Sequence, residues 1–143
     1  MTLDDHEAVR ALWASLPGIG LRDHEDSREG IAYYLRRNPG SCFVAEETPG
    51  PQDGAQRRVI GAVLCGNDGR RGYINHLAVA RECQGRGLGR ALVEACLDAM
   101  RKEGIRMCSL MVFRDNEQGN AFWDAMGSIR RDEILLRNLP TGI

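Results

Sequence analysis

A glycine-rich stretch at residues 84–90, Gln-Gly-Arg-Gly-Leu-Gly-Arg, narrows the choice of fold more than any other part of the sequence. It follows an apolar, strand-like run from Tyr73 to Ala80 and leads into a helical run from Ala91 to Glu103. The first N–H groups of a helix have no acceptor within it, and the helix dipole adds positive potential there. Glycine lets the backbone approach a phosphate because no Cβ stands in the way. This order of strand, turn and helix therefore predicts a pyrophosphate site.

Two common phosphate-binding motifs do not fit this stretch. A P-loop ends in Gly-Lys-Ser/Thr, whereas this turn ends in Leu88-Gly89-Arg90. A dinucleotide-binding turn needs a third glycine where Arg90 stands, and an acidic residue about twenty positions on, where Cys108 has no neighbouring carboxylate. A nucleotide-binding domain is therefore disfavoured. A tight connection without a ligand is the remaining alternative to a pyrophosphate site.

Three motifs together resemble one family. Gln84-x-x-Gly87-x-Gly89 resembles the (Arg/Gln)-x-x-Gly-x-(Gly/Ala) signature of the GNAT superfamily of N-acetyltransferases. The run Ile74 to Val79 is similar to that family's central strand. Asn116 to Gly127 is similar to its second motif, in which an Asn precedes an aromatic pair and a Gly closes the helix. The resemblance implies an acyltransferase that uses acetyl-CoA, with the pyrophosphate on the turn.

The resemblance also implies how the cofactor is held. Two neighbouring strands, Tyr73–Ala80 and Arg106–Phe113, are expected to separate at their C-terminal ends, so that the pantetheine arm lies between them like an additional strand. An N–H group near Leu77 is expected to face the thioester carbonyl. Asn116 either bonds the arm or caps its own helix. The implied cofactor-binding residues are Leu77, Ala78, Val79, Gln84, Gly85, Arg86, Gly87, Leu88, Gly89, Arg90 and Asn116.

The general base is less plain from the sequence. Many family members carry a Glu where this chain has Asn75, and an amide cannot take a proton at neutral pH. His76 is the nearest titratable side chain, and imidazole suits base chemistry near neutrality. Strand alternation places Asn75 and His76 on opposite faces unless a bulge intervenes. A hydrogen-bonded structural His76, with a carboxylate acting through water, is the alternative.

The general acid departs from the family pattern too. Members often place a Tyr where this chain has Trp123, and an indole N–H donates hydrogen bonds without releasing its proton. Trp123 either contacts the sulfur or the pantetheine arm, or is a core aromatic. Tyr33, Tyr34 and Tyr73 are possible substitutes. Asn75, His76 and Trp123 are thus the catalytic candidates.

Periodicity predicts one α/β domain over residues 1–143. We expect a mixed, mainly antiparallel sheet with helices on both faces, and a first edge strand that is short or missing. The predicted helices are Asp5–Leu16, a second capped by Asp26 or Ser27, Ala91–Glu103 and Glu117–Met126. The predicted strands are Ser41–Glu46, Arg58–Cys65, Arg71–Ala80, Arg106–Phe113 and Ser128–Leu139, with a mobile loop at 48–54 and a hairpin turn at 67–70.

Composition narrows the classes of partner. The net charge is −1, and no apolar run approaches the ~20 residues of a membrane span, so neither nucleic acid nor membrane is expected. Five cysteines without a C-x-x-C pair, isolated from the three histidines, predict buried reduced thiols in a cytoplasmic protein without a metal. An exposed last strand would allow a homodimer.

The expected function is transfer of an acetyl group from acetyl-CoA to a primary amine of a small molecule or peptide by direct attack. Asp23, Glu25 and Asp26 follow the first helix and either attract a cationic amine or, as we expect, face water. The alternative function is a non-catalytic, regulatory acetyl-CoA-binding module, which the absent Glu and Tyr would permit.

Overall fold

The computed structural model describes residues 1–47 and 57–142, so the loop predicted at 48–54 lies outside the described residues. The chain divides into two compact units, Met1–Val112 and Phe113–Ile143. The prediction of a single domain stays a prediction. In the described part of the chain, no helix is both long and apolar enough to cross a bilayer.

The first unit contains a four-stranded sheet. Its strands are β1 Phe43–Glu47, β2 Arg58–Asn67, β3 Gly72–Val79 and β4 Cys108–Leu110, in that order across the sheet. The first two pairings are antiparallel and β3 pairs with β4 in parallel, which confirms the mixed, mainly antiparallel sheet. Gly69, with φ +84°, makes the predicted hairpin turn between β2 and β3.

Three helices belong to this unit: α1 His6–Ala14, α2 Arg28–Arg37 and α3 Leu88–Lys102. The residues before α1 form a 3₁₀ turn, Leu3–Asp5, and none of the described residues before α1 is in a strand, where the sequence predicted an edge strand that is short or missing. The cap of α2 is Ser27, whose hydroxyl accepts the Gly30 N–H at 3.0 Å. Helix α3 begins at Leu88, inside the glycine-rich stretch, because the stretch supplies the first helical turn.

Helices cover both faces of the sheet. Alternate residues of β2 point to opposite sides. One side packs in a core with α1 and α2, made of Ile60, Ala62, Leu64, Val9, Leu12, Trp13 and Ile31 among others. On the other side Gly61 lies so close to α3 that an added Cβ would be 3.0 Å from a Leu92 methyl. The candidate site lies on the face of the sheet that α1 and α2 cover.

The second unit contains one helix, α4 Glu117–Ala125. The predicted last strand, Ser128–Leu139, is wrong, because residues 128–142 form no strand. Their apolar side chains are exposed: Ile129, Ile134, Leu135, Leu136 and Leu139. Local β-propensity does not make a strand without a neighbour that accepts its hydrogen bonds.

Candidate active site

The glycine turn has the backbone that its sequence predicts. Gly85 and Gly87 have φ values of +76° and +79°, and an added Cβ would meet nothing within 4 Å at either position. Gly87 is the N-cap of α3 and contributes no side chain to the cap. The first-turn N–H groups of α3 find no acceptor inside the helix. The turn therefore presents main-chain donors at an open surface.

Charge around the turn favours an anion. The first turn of α3 contains no acidic residue, and Arg86 and Arg90 are exposed on either side of Gly87. Gln84, the first residue of the signature, donates from Nε2 to the Val79 carbonyl at 3.0 Å. This bond ties the turn to the end of β3. Gln84 thus holds the position of the donors, while the glycines and arginines set the surface.

The pairing of β3 with β4 ends before the C-terminal end of β3, where the sequence predicted that the two strands separate. β3 and β4 pair at three positions, Gly72 with Cys108, Tyr73 with Ser109 and Ile74 with Leu110. β3 continues to Val79, and within residues 1–47 and 57–142 no strand pairs with that edge beyond Ile74. The edge formed by Asn75 to Val79 is therefore open to a further strand, although two of its carbonyls, those of His76 and Val79, accept side-chain hydrogen bonds. It contains Leu77, Ala78 and Val79, and it leads to the glycine turn.

A β-bulge lies where this open edge begins. Ala62 pairs with Ala78 and Leu64 with Asn75, so β3 holds one residue more than β2 between these pairs. Among the described residues, His76 alone has a positive φ without being glycine, at +51°. The bulge brings Asn75 and His76 to one face, towards α1 and α2. Strand alternation required a bulge for Asn75 and His76 to share a face, and this bulge is present.

His76 is held by contacts on that face. Its Nε2 lies 2.8 Å from Oδ1 of Asp26, in the loop before α2. The Asp26 side chain is only 4% exposed, and its Oδ2 accepts the Arg22 N–H at 2.6 Å. The buried Trp13 donates from Nε1 to the His76 carbonyl at 3.0 Å, and its ring meets the imidazole edge-on at 4.9 Å. A His–Asp pair is a known arrangement for a general base and the group that orients it.

Asp26 was missed by sequence reasoning as a partner of His76. The sequence predicted a helix cap or a solvated carboxylate at this position, whereas Ser27 is the cap and Asp26 is buried. The two residues of the pair are 50 positions apart. No local pattern links them, so the fold alone reveals the contact.

Asn75 has a partner of its own in α2. The Tyr34 phenol lies near Asn75, and burial raises the pKa of this phenol above its ordinary range, although the interaction with Asn75 acts in the opposite direction. Tyr34 therefore keeps its proton at neutral pH. Tyr33 is exposed, and Tyr73 donates to Asp68 of the hairpin, so Tyr34 is the tyrosine that contacts the catalytic candidates.

Two candidate residues belong to the second unit. Oδ1 of Asn116 accepts the Gly119 N–H at 2.9 Å and caps α4, one of the two roles expected for it. Trp123 is half-buried, and its ring packs edge-on against Phe122 at 5.0 Å. The roles of Asn116 at the cofactor and of Trp123 in catalysis stay predictions.

The remaining candidates are the cysteine thiols and the groups that could bind a metal ion. All five cysteines are free, and Cys42, Cys65, Cys83 and Cys96 are buried, as the sequence predicted for most of them. The part of the chain that the structure describes contains no cluster of three or more His, Cys, Asp or Glu side chains that would hold a metal ion.

Comparison with known proteins identifies the family. Residues 6–127 match the profile of the Acetyltransferase (GNAT) family. N-alpha-acetyltransferase 30 of Schizosaccharomyces pombe is 33% identical over 103 residues, 68% of this chain and 63% of that protein, so the chain spans less than two thirds of it. An acetyltransferase of Sodalis glossinidius is 29% identical over 133 residues, 93% of this chain and 87% of that protein.

A solved structure has the same fold. The NatC complex bound to Gag peptide and CoA superposes with a TM-score of 0.71 at 24% identity, over 89% of this chain and 78% of that one. Because the profile match includes the strands, the glycine turn and α4, the chain belongs to the GNAT family of acetyltransferases.

Proposed function

We propose that the protein transfers the acetyl group of acetyl-CoA directly to a primary amine. The observation that carries the proposal is the open edge of β3, from Asn75 to Val79, which runs from the His76–Asp26 pair to the glycine turn. An extended chain with amide groups can pair with such an edge as a strand does. The pantetheine arm of CoA is a chain of that kind.

The residues of the turn suit the diphosphate of the cosubstrate. Glycines at residues 85 and 87 leave space for it, and the N-terminus of α3 adds donors and positive potential. Arg86 and Arg90 add charge of the same sign. Leu77, Ala78 and Val79 would offer backbone groups to the arm. The solved NatC complex, which is similar in fold, contains CoA, and this supports the assignment.

His76 is the proposed base. The imidazole takes one proton from the acceptor ammonium and releases it to solvent, and the neutral nitrogen forms a bond to the thioester carbonyl carbon. The imidazole then takes the second proton that this nitrogen loses, and the C–S bond breaks to release a thiolate. A backbone N–H near Leu77 stabilises the charge that builds on the carbonyl oxygen. A thiol has an ordinary pKa near ~8.5, so the sulfur leaves without a strong acid. The departing thiolate takes up the proton from His76 or from solvent.

A peptide α-amine is the proposed acceptor. An α-ammonium group has an ordinary pKa of about 7.7–8.0, whereas that of a lysine ammonium is about 10.4. A base of imidazole type deprotonates the first far more readily, because the difference in pKa is smaller. The similar S. pombe protein is named an N-alpha-acetyltransferase, which supports the same class. A small-molecule amine of low pKa is the second choice.

The assay compares three amines at equal concentration with acetyl-CoA. One peptide has a free α-amine and no lysine, one has a blocked N-terminus and a lysine, and the third amine is a small polyamine. Thiol release is followed, and mass spectrometry locates the acetyl group. We expect release with the free α-amine above all. CoA binding without release for any amine would instead support the regulatory module, which Asn75 in place of a family Glu favours.

We also propose a cytoplasmic location and a homodimer. Five free cysteines, mostly buried, fit the reducing cytoplasm. The exposed apolar side chains between Ile129 and Leu139 would supply surface for a homodimer. Size-exclusion chromatography with light scattering measures the second point directly.

A further inference from the structure

We infer that Asp26 is a positioning residue of this enzyme, which fixes the tautomer of His76 so that Nδ1 offers its lone pair to the acceptor amine. The inference rests on the proposed function, because it assigns His76 the role of base. It adds a residue, and a specific ring nitrogen, to that role. The observation behind the inference is the contact between the Asp26 carboxylate and the His76 ring, two residues that lie 50 positions apart in the sequence.

Both oxygens of Asp26 are already committed. Oδ2 accepts the backbone N–H of Arg22, a group that can only donate. Oδ1 is the oxygen that faces Nε2 of His76 at 2.8 Å. An ionised carboxylate is acceptor-only, so the ring must donate from Nε2. The neutral imidazole then carries its proton on Nε2 and its lone pair on Nδ1.

Nδ1 is available to a ligand. Within residues 1–47 and 57–142 no hydrogen bond is made by this atom, and no buried side-chain nitrogen or oxygen lacks a partner. An atom without a partner must therefore be reachable by solvent, in agreement with a His76 side chain that is 20% exposed. The buried end of the ring is held, and the accessible end has the lone pair.

The surroundings hold this arrangement in place. A φ of +51° lies in the left-handed region, where any residue except glycine is strained. Trp13 donates a hydrogen bond to the His76 carbonyl, and the His6 ring donates from Nε2 to the Asp26 carbonyl at 3.1 Å. Backbone strain retained beside an open strand edge favours a functional over a purely structural side chain.

Few charged or titratable groups face the pair. Asp26 and the backbone of Arg22 approach from the loop, His6 from α1, and the protonated Tyr34 of α2 reaches the neighbouring Asn75. Apart from His76, no basic side chain pairs with the Asp26 carboxylate in the described part of the chain. Removal of the Asp26 charge should therefore affect the His76 ring more than any other titratable group.

The first test measures the tautomer without any substrate. Long-range ¹H–¹⁵N NMR distinguishes the two ring nitrogens, and three histidines make assignment simple, with His76→Asn marking the signal that disappears. At pH 9, where imidazoles are neutral, we expect the His76 proton on Nε2 in the parent protein. A proton on Nδ1 would overturn the inference. This measurement needs no variant to fold except the one used for assignment.

The second test is Asp26→Asn. Asp26 uses a separate oxygen for each of its two donors, whereas Asn has only one oxygen, so when that oxygen accepts the Arg22 N–H the NH₂ group faces Nε2. The ring proton moves to Nδ1, and the base is lost. We expect kcat to fall about 100-fold or more, by the same logic that makes the corresponding change severe in Ser-His-Asp enzymes, while the Kd for CoA stays within about twofold.

The matched control is Asp98→Asn, the same change on the exposed face of α3, where Asp98 pairs with Arg101. We expect its kcat and CoA affinity to equal those of the parent. A parent enzyme that acetylates an amine while Asp26→Asn keeps kcat within about threefold would overturn the role of Asp26 and leave the proposed function intact. A parent that acetylates no amine would overturn the proposed function, and the catalytic role of Asp26 with it.

Discussion

The glycine turn and the His76 site use different parts of the chain for their chemistry. In the turn, contiguous residues 84–90 present main-chain N–H groups, and the side chains mainly leave room or add charge. At His76, two side chains that lie 50 positions apart meet because α1 and its following loop pack on the sheet. The turn depends on local backbone geometry, whereas the pair depends on packing. The two sites should therefore fail in different ways when they are altered.

The largest effect is expected from His76→Ala. Removal of a general base lowers kcat by about 10²–10⁴, whereas the Kd for CoA should not change because the turn is untouched. Steady-state thiol release and a CoA titration measure the two quantities. Asp26→Asn added to His76→Ala should lower kcat no further, since both changes remove one function. An additive loss in the double variant would show that the two residues act independently.

Gly87→Asp should give the opposite pattern. It places a carboxylate beside the diphosphate, and like charges at a protein surface repel by a few kcal/mol, so CoA affinity should fall about 100-fold or more. The positive φ of Gly87 strains an Asp there, but its Cβ would meet nothing within 4 Å, so the fold should be retained. Titration of CoA by calorimetry measures the loss.

Gly104→Asp is the matched control for this change. Gly104 also has a φ of +76° and open space around its Cβ position, but it follows the other end of α3. It reproduces the backbone strain without approaching the turn. Equal CoA affinities for the two variants would remove the turn from the cofactor site.

Trp13→Phe should have the smallest effect and tests how the packing holds the bulge. It deletes the N–H donor to the His76 carbonyl while keeping most of the buried ring. An acceptor left without its donor in a part-buried place costs about 1–3 kcal/mol, so the free energy of unfolding in urea should fall by that amount. Tyr73→Phe deletes a more exposed donor to Asp68 and should change it by under about 0.5 kcal/mol. A CoA affinity equal to that of the parent is expected for both.

Much of the fold followed from local chemistry. Asp68-Gly69 predicted the hairpin that pairs β2 with β3, and Asp26-Ser27 predicted the start of α2, because turns and caps depend on a few neighbouring residues. The last strand was wrongly predicted at Ser128–Leu139, since a strand also needs a partner. The strand predicted at Arg106–Phe113 extends only over Cys108–Leu110 in the structure, for the same reason.

The glycine turn and the family could be deduced without a fold, because a left-handed φ and a missing Cβ are properties of glycine itself. The bulge at His76 and its contact with Asp26 could not. A register shift arises from how β3 pairs with β2, and a contact between residues 26 and 76 arises from how a loop packs on the sheet. Both depend on distances through space, which the order of residues along the chain does not specify.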